Sequence, residues 1–245
     1  MCHQRSLPVW LLAALLLVGC SGELTPDTTA PLEAPPTIAA TTTTTTTTTP
    51  TQPAPHPDPL LIPAGAAPVI DGRISAEEWA GAALTYMDDG TELSWLSSDG
   101  YLYLAVRADA VGSVNLLVAT SGEVRILHSS AALGSAVYEP DTEGWLLAQD
   151  FSWCCRSTTD PDSRHQLLAD EGWQANIGFA GEAGEVEYQV AMRESPVSLA
   201  VSYVRADGSV SFWPDGLDQT AQEQLYGIRR DHEQFSIDDW IRIEV

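Results

Sequence analysis

The chain has no lysine: its 11 basic residues are all arginine, set against 34 acidic ones, for a net charge of −23 over 245 residues. That absence removes Schiff-base and lysine-nucleophile chemistry. The excess of acid repels nucleic-acid phosphates and anionic lipid headgroups, so nucleic acid is excluded as a partner. It suits a soluble extracellular protein, or cation binding. Catalytic motifs are also missing. There is no G-x-S-x-G and no H-E-x-x-H, and an abundance of carboxylates is not by itself a glycosidase pair. A non-enzymatic chain is therefore expected. Cysteine is scarce, with four in all, and two of these are adjacent. His128, His165 and His232 stand alone, so no zinc-ligand spacing occurs. Beyond the extreme N-terminus no apolar run is long enough to cross a bilayer.

What is present begins with that N-terminus. Arg5 precedes the apolar run Val9–Val18, and Gly19-Cys20-Ser21 follows. The order of charge, apolar run and small residue is that of a secretory signal. Leu17-Val18-Gly19-Cys20 resembles the bacterial lipobox, in which the cysteine becomes the lipidated first residue of the mature chain. Residues 1–19 are thus expected to be a lipoprotein signal peptide and Cys20 the lipidated, palmitate-bearing anchor. Acyl chains contribute about 0.8 kcal/mol per buried CH₂, enough for a multiply acylated cysteine to hold firmly. The membrane is then touched only through the lipid, at the extracytoplasmic face.

Residues 20–62 comprise that cysteine and a linker of Thr, Pro and Ala with few acids, including an unbroken Thr41–Thr49 run closed by Pro50. Such a composition offers too little apolar surface to offset ordering entropy, which predicts a disordered spacer. At about 3 Å per residue in PPII geometry, it could reach on the order of 100 Å.

Residues 63–245 read as one domain, β almost throughout. Glu92–Leu96 leads through Ser98-Asp99-Gly100 into Tyr101–Arg107, where Leu102, Leu104 and Val106 alternate with Tyr101, Tyr103 and Arg107. Period two on both sides of a turn predicts a hairpin. Further strands are expected at Ser113–Thr120, Glu123–His128, Gly144–Gln149, Trp173–Ala180, Glu185–Met192, Val197–Val204, Ser209–Phe212 and Asp239–Val245. Many short strands separated by turn signals indicate an all-β fold, an antiparallel β-sandwich of jelly-roll or immunoglobulin-like kind. One helical turn is expected at Ser75–Ala80, where Ser75 and Glu78 form a capping-box pattern.

Pro68-Val69-Ile70-Asp71-Gly72-Arg73-Ile74-Ser75, running on to Trp79 and Ala82, resembles the opening of type 9 carbohydrate-binding modules and their DOMON-like relatives. Gly100–Asp109 is similar to a second recurrent segment of those domains. Gly184–Met192 and Phe212-Trp213-Pro214-Asp215-Gly216 fall where the family places an acidic strand and an aromatic-proline corner. The likeness spans about half of the domain, and Ser129–Gly172 carries none of it. It implies binding of a glycan or cell-surface polysaccharide between two flanking tryptophans, with structural calcium in some members. By approximate position the pair would be Trp95 and Trp213, with Trp145, Trp153 and Trp173 also available. Arg107, Asn176 and Glu187 are the polar candidates. Asp71, Gly72 and Trp79 read instead as structural, since a glycine serves a tight turn.

Sugar recognition needs aromatic rings under pyranose C–H faces and polar groups for the hydroxyls, and eight tryptophans and seven tyrosines supply the rings. Cys154 and Cys155 follow Trp153 directly. In an oxidising compartment three states are open to them: a vicinal disulfide, an intermolecular bond, or a buried reduced pair. The first would give a rigid apolar plate beside Trp153. For calcium, Asp88-Asp89-Gly90 and Asp160-Pro161-Asp162 are turn-located acid pairs without EF-hand spacing. The DOMON resemblance also allows haem-binding electron transfer, with Met87 or Met192 and His128, His165 or His232 as axial ligands. A structural or adaptor lipoprotein without a small ligand is the third alternative.

Overall fold

The period-two segments become strands nearly everywhere they occur. A computed structural model describes residues 58–156, 160–180, 183–193, 196–217 and 230–244. The expected signal peptide, Cys20 and almost all of the linker lie outside these residues. In chain order the elements are β1 (Leu60–Leu61), β2 (Ala83–Tyr86), β3 (Glu92–Ser98), β4 (Tyr101–Ala108), β5 (Gly112–Ala119), β6 (Val124–Ser129), β7 (Ala132–Asp141), β8 (Gly144–Arg156), α1 (Pro161–Glu171), β9 (Trp173–Ala180), β10 (Ala183–Ala191), β11 (Val197–Arg205), β12 (Val210–Trp213), β13 (His232–Glu233) and β14 (Ile241–Glu244).

They form an all-β sandwich. One sheet has five strands in the order β2-β3-β4-β10-β9; the other has nine, in the order β1-β14-β11-β5-β6-β7-β8-β13, with β12 also pairing β11. Every pairing is antiparallel except that of β1 with β14. The β3–β4 hairpin closes as expected, with Ser98 opposite Tyr101 and both Asp99 and Gly100 at positive φ, the geometry that matches a hairpin's twist. Inward-facing Leu93, Trp95, Leu102, Leu104 and Val106 meet Val114, Leu116, Leu127, Leu199 and Val201 from the opposite sheet. Burial of such side chains stabilises by about 1.5–3 kcal/mol each.

Part of each outer face is covered as well. Ile70 and Trp79 lie on Leu96, Tyr103 and Ala105 of the five-stranded sheet. Leu217, Phe235 and Trp240 lie on Leu117, Ile126, Ala136 and Ala200 of the other. The turn at Ala76–Gly81 follows the expected cap, Ser75 Oγ bonding Glu78 Oε2 at 3.0 Å.

Beyond the short strands β2 and β13, for which the sequence carried no expectation, three features depart from the sequence reading. The fold begins at Leu60, ahead of Pro63, because Leu60 pairs Ile243 and Ile62 enters the core. Ala132–Asp141, which carried no strand expectation, pairs along β8, and β8 continues past Gln149 to Arg156. Register shifts along this pair break the alternation that would have marked it. The polar stretch after the cysteines is a helix, α1, capped by the Asp160 side chain on Ser163 N and ended by Gly172 at φ 79°.

Candidate functional site

The polar residues expected to face a ligand hold the chain's own N-terminal segment instead. Glu187 on β10 is fully buried at 0% exposure. Its Oε2 accepts from the backbone N–H groups of Asp71, Gly72 and Arg73 at 3.1, 2.8 and 3.2 Å, and its Oε1 from the Trp79 indole at 2.9 Å. Burial pushes the Glu187 carboxyl up to about 7, against the pull of the Trp79, Gly72 and Asp71 hydrogen bonds. Its cross-strand partner Asn176 donates to Ile70 O at 3.3 Å. Arg107 donates to Ile74 O at 2.8 Å and pairs Glu185 at 3.2 Å and Glu92 at 3.4 Å. Gly72, at φ 84°, reaches so close to β9 that a Cβ on Gly178 would stand 1.7 Å from Gly72 O. Glu187 and Asn176 thus hold the Ile70–Trp79 segment from inside the fold, whereas Arg107, its side chain 44% exposed, reaches that segment from the surface.

The tryptophan pair is corrected in the same way. Trp95 and Trp213 do come together, but inside the inter-sheet core, ring centroids 4.8 Å apart at 35°. The Trp95 indole donates to Thr85 Oγ1 at 2.9 Å. Rings packed on one another leave no room for a sugar between them. Trp173 is also buried, stacked on Tyr188 with its indole donating to Glu171, and Trp145 packs against Phe235.

Trp153 differs. At 58% exposure it is the one exposed tryptophan among the described residues. It lies on the outer face of the nine-stranded sheet, where Gly134 is opposite it and has no side chain: a Cβ there would meet the Trp153 ring at 2.8 Å and Phe151 at 2.9 Å. Phe151 and His128 complete the cluster, with centroids 5.1 and 5.4 Å from Trp153, and His128 stands edge-on at 81°. The next two residues, Cys154 and Cys155, are joined as a vicinal disulfide; Cys154 is exposed and Cys155 packs against the inter-sheet core. Of the three states open to these cysteines, the structure adopts the first.

Behind Trp153 runs a polar row. Ser202 on β11, Asn115 on β5, His128 on β6, Gly134 on β7 and Trp153 on β8 are successive cross-strand partners. Asn115 Nδ2 donates to Ser202 Oγ at 3.1 Å, and Asn115 Oδ1 meets His128 Nδ1 at 2.7 Å. Burial pushes the His128 imidazole down to about 4, so it is neutral near pH 7. Asn115 and Ser202 were not legible as site residues. What joins them to His128 and Trp153 is register, which the sequence alone does not supply.

The acid pairs are occupied otherwise. Asp89 lines an open hollow of about 370 Å³ with Asp88, Asp109, Arg205 and Ser211. Burial raises its carboxyl, but hydrogen bonds from Ser211, Thr91 and Arg205 outweigh this and hold it at about 2. A guanidinium thus stands where a cation would sit. Asp160 caps α1. No group of three or more His, Cys, Asp or Glu among the described residues is placed to hold a metal ion. Met87 is buried in the inter-sheet core, whereas His128 lies on the outer face of the nine-stranded sheet. His165 and His232 are exposed on α1 and β13.

Comparison with protein-family models, with curated proteins and with solved structures gives no match.

Proposed function

We propose that this chain is a non-catalytic, lipid-anchored carbohydrate-binding protein of the extracytoplasmic membrane face, related to type 9 carbohydrate-binding modules. The anchor is Cys20, the Thr/Pro segment is the spacer, and the β-sandwich is the receptor. One observation supports this most: the only exposed indole among the described residues lies on a sheet face, seated over a glycine and followed directly in sequence by the exposed Cys154 of the vicinal disulfide. An exposed ring, flanked by Phe151 and His128, suits the C–H face of a pyranose, and neighbouring polar groups suit its hydroxyls. The ligand surface is therefore moved from Trp95 and Trp213 to the sheet face that carries Trp153. The partner is a glycan end or a polysaccharide chain, with no nucleic acid.

Titration of tryptophan fluorescence with soluble oligosaccharides, beside a glycan array, tests the reading. Saturable quenching is expected in the native chain and absent in Trp153→Ala. Silence across both panels would remove the proposal.

A further inference from the structure

The Ser202–Asn115–His128 row ends beside Trp153, and the direction of its hydrogen bonds fixes more than shape. Asn115 spends its amide N–H on Ser202 Oγ, which turns its carbonyl oxygen toward His128. With a carbonyl oxygen facing it, His128 Nδ1 makes this bond by carrying the proton, the tautomer that the Asn115 amide orientation selects. In a neutral imidazole the other nitrogen, Nε2, is then a lone-pair acceptor. No described residue donates to Nε2, and the ring is half-buried with Trp153 5.4 Å away.

We infer that Asn115 and Ser202 are positioning residues that hold His128 in the Nδ1–H tautomer, so that Nε2 accepts a hydroxyl from an uncharged glycan lying on Trp153. This rests on the glycan-binding reading above and names the substrate class: neutral sugars that present an apolar C–H face and an adjacent equatorial hydroxyl. The row itself supplies no positive charge for a carboxylate or sulfate, and the chain's net charge of −23 opposes polyanions at long range. Polyuronates and sulfated glycans are thereby disfavoured.

Two measurements test this on the full native chain. The first needs no ligand: nitrogen-15 NMR of the histidine rings should show His128 as the Nδ1–H tautomer, and Asn115→Ala should shift it toward a mixture. Finding Nε2–H in the native protein overturns the inference. The second is titration with cellohexaose, laminarin, xyloglucan and polygalacturonate. At least one neutral probe should bind. His128→Phe should weaken it about tenfold, the size of one lost hydrogen bond. His128→Gln, which keeps an acceptor, should recover part of that loss, and Asn115→Ala should lie between. Should His128→Phe or Asn115→Ala fold poorly, thermal melts will show it, and the tautomer and His128→Gln data still decide. Native-like affinity in His128→Phe with loss in Trp153→Ala would overturn the His128 role while leaving the glycan reading intact. Preference for polygalacturonate would overturn the substrate class. Failure of every probe to bind the native chain would overturn both.

Discussion

Glu187 shows how one buried carboxylate can organise a face of the fold. Three consecutive backbone donors and the Trp79 indole converge on it; Asp71 N and Arg73 N also reach Val69 O and Asp71 Oδ1, but without Glu187 the buried Gly72 N–H and the Trp79 indole would lose their acceptor. Glu187→Ala is therefore expected to cost about 3 kcal/mol in urea unfolding, the scale of removing one partner from a buried charged hydrogen-bond set. Its titration has a definite sign. The folded carboxyl, at about 7, lies above its ordinary 4.5, so the stability it contributes is fully present below pH 4.5 and is lost as pH rises through 7. His128 runs the other way: depressed from 6.5 to about 4, its contribution is present above pH 6.5 and lost as pH falls through 4. The two oppose one another between pH 4 and 7. Glu187→Gln should therefore lose stability on acidification across that window more steeply than the native chain; parallel urea profiles would contradict this. Gly178 faces a steric limit rather than an electrostatic one. Its missing Cβ would overlap Gly72 O, so Gly178→Ala should push the Ile70–Ile74 segment off the sheet, at about 1–3 kcal/mol or more, with loss of Trp79 fluorescence shielding as the readout.

Helix α1 shows what a local signal can and cannot carry. Only Arg164 and Leu167 of its residues are buried, so it has no apolar stripe to reveal it. Its marks are at the ends, in the Asp160-Pro161 start and the Gly172 stop. Asp160→Ala should cost about 1 kcal/mol by thermal melt, the ordinary value of an N-cap. The β3–β4 hairpin was legible because alternation and an Asp-Gly turn agree. Strand β7 was not: Ala132, Gly134, Ser135 and Ala136 are too small to mark a face, and the bulged register along β8 removes the period. The site suffered for a related reason. Sequence lists eight tryptophans but not which side of a strand each one meets, nor that Trp95 and Trp213 find each other across the sandwich. The polar candidates were displaced because Ile70–Ile74 covers the sheet face on which Glu187 and Asn176 lie, a long-range placement that no local pattern encodes.

For the molecule as a whole, charge sets the conditions of stability. At −23 with 11 basic residues, the folded state concentrates repulsion that an expanded chain relieves. Raising NaCl from about 10 mM to about 500 mM, which shortens the screening length several-fold, should raise Tm; a fall would mean that ion pairs such as Arg205 with Asp89 outweigh the repulsion. The parallel pairing of β1 with β14 has a mechanical corollary. Strand β1 is two residues long and lies at the rim of its sheet, beside β14, which keeps its own bonds to β11. Behind β1, the next fastenings are the bonds of Pro63 O and Gly65 N to Ser97. Traction on the chain ahead of Asp58 therefore loads these few bonds and the buried Ile62 side chain first. The leading end can peel away like a mooring line paying out, and give slack under drag, while the paired sheets behind it stay shut.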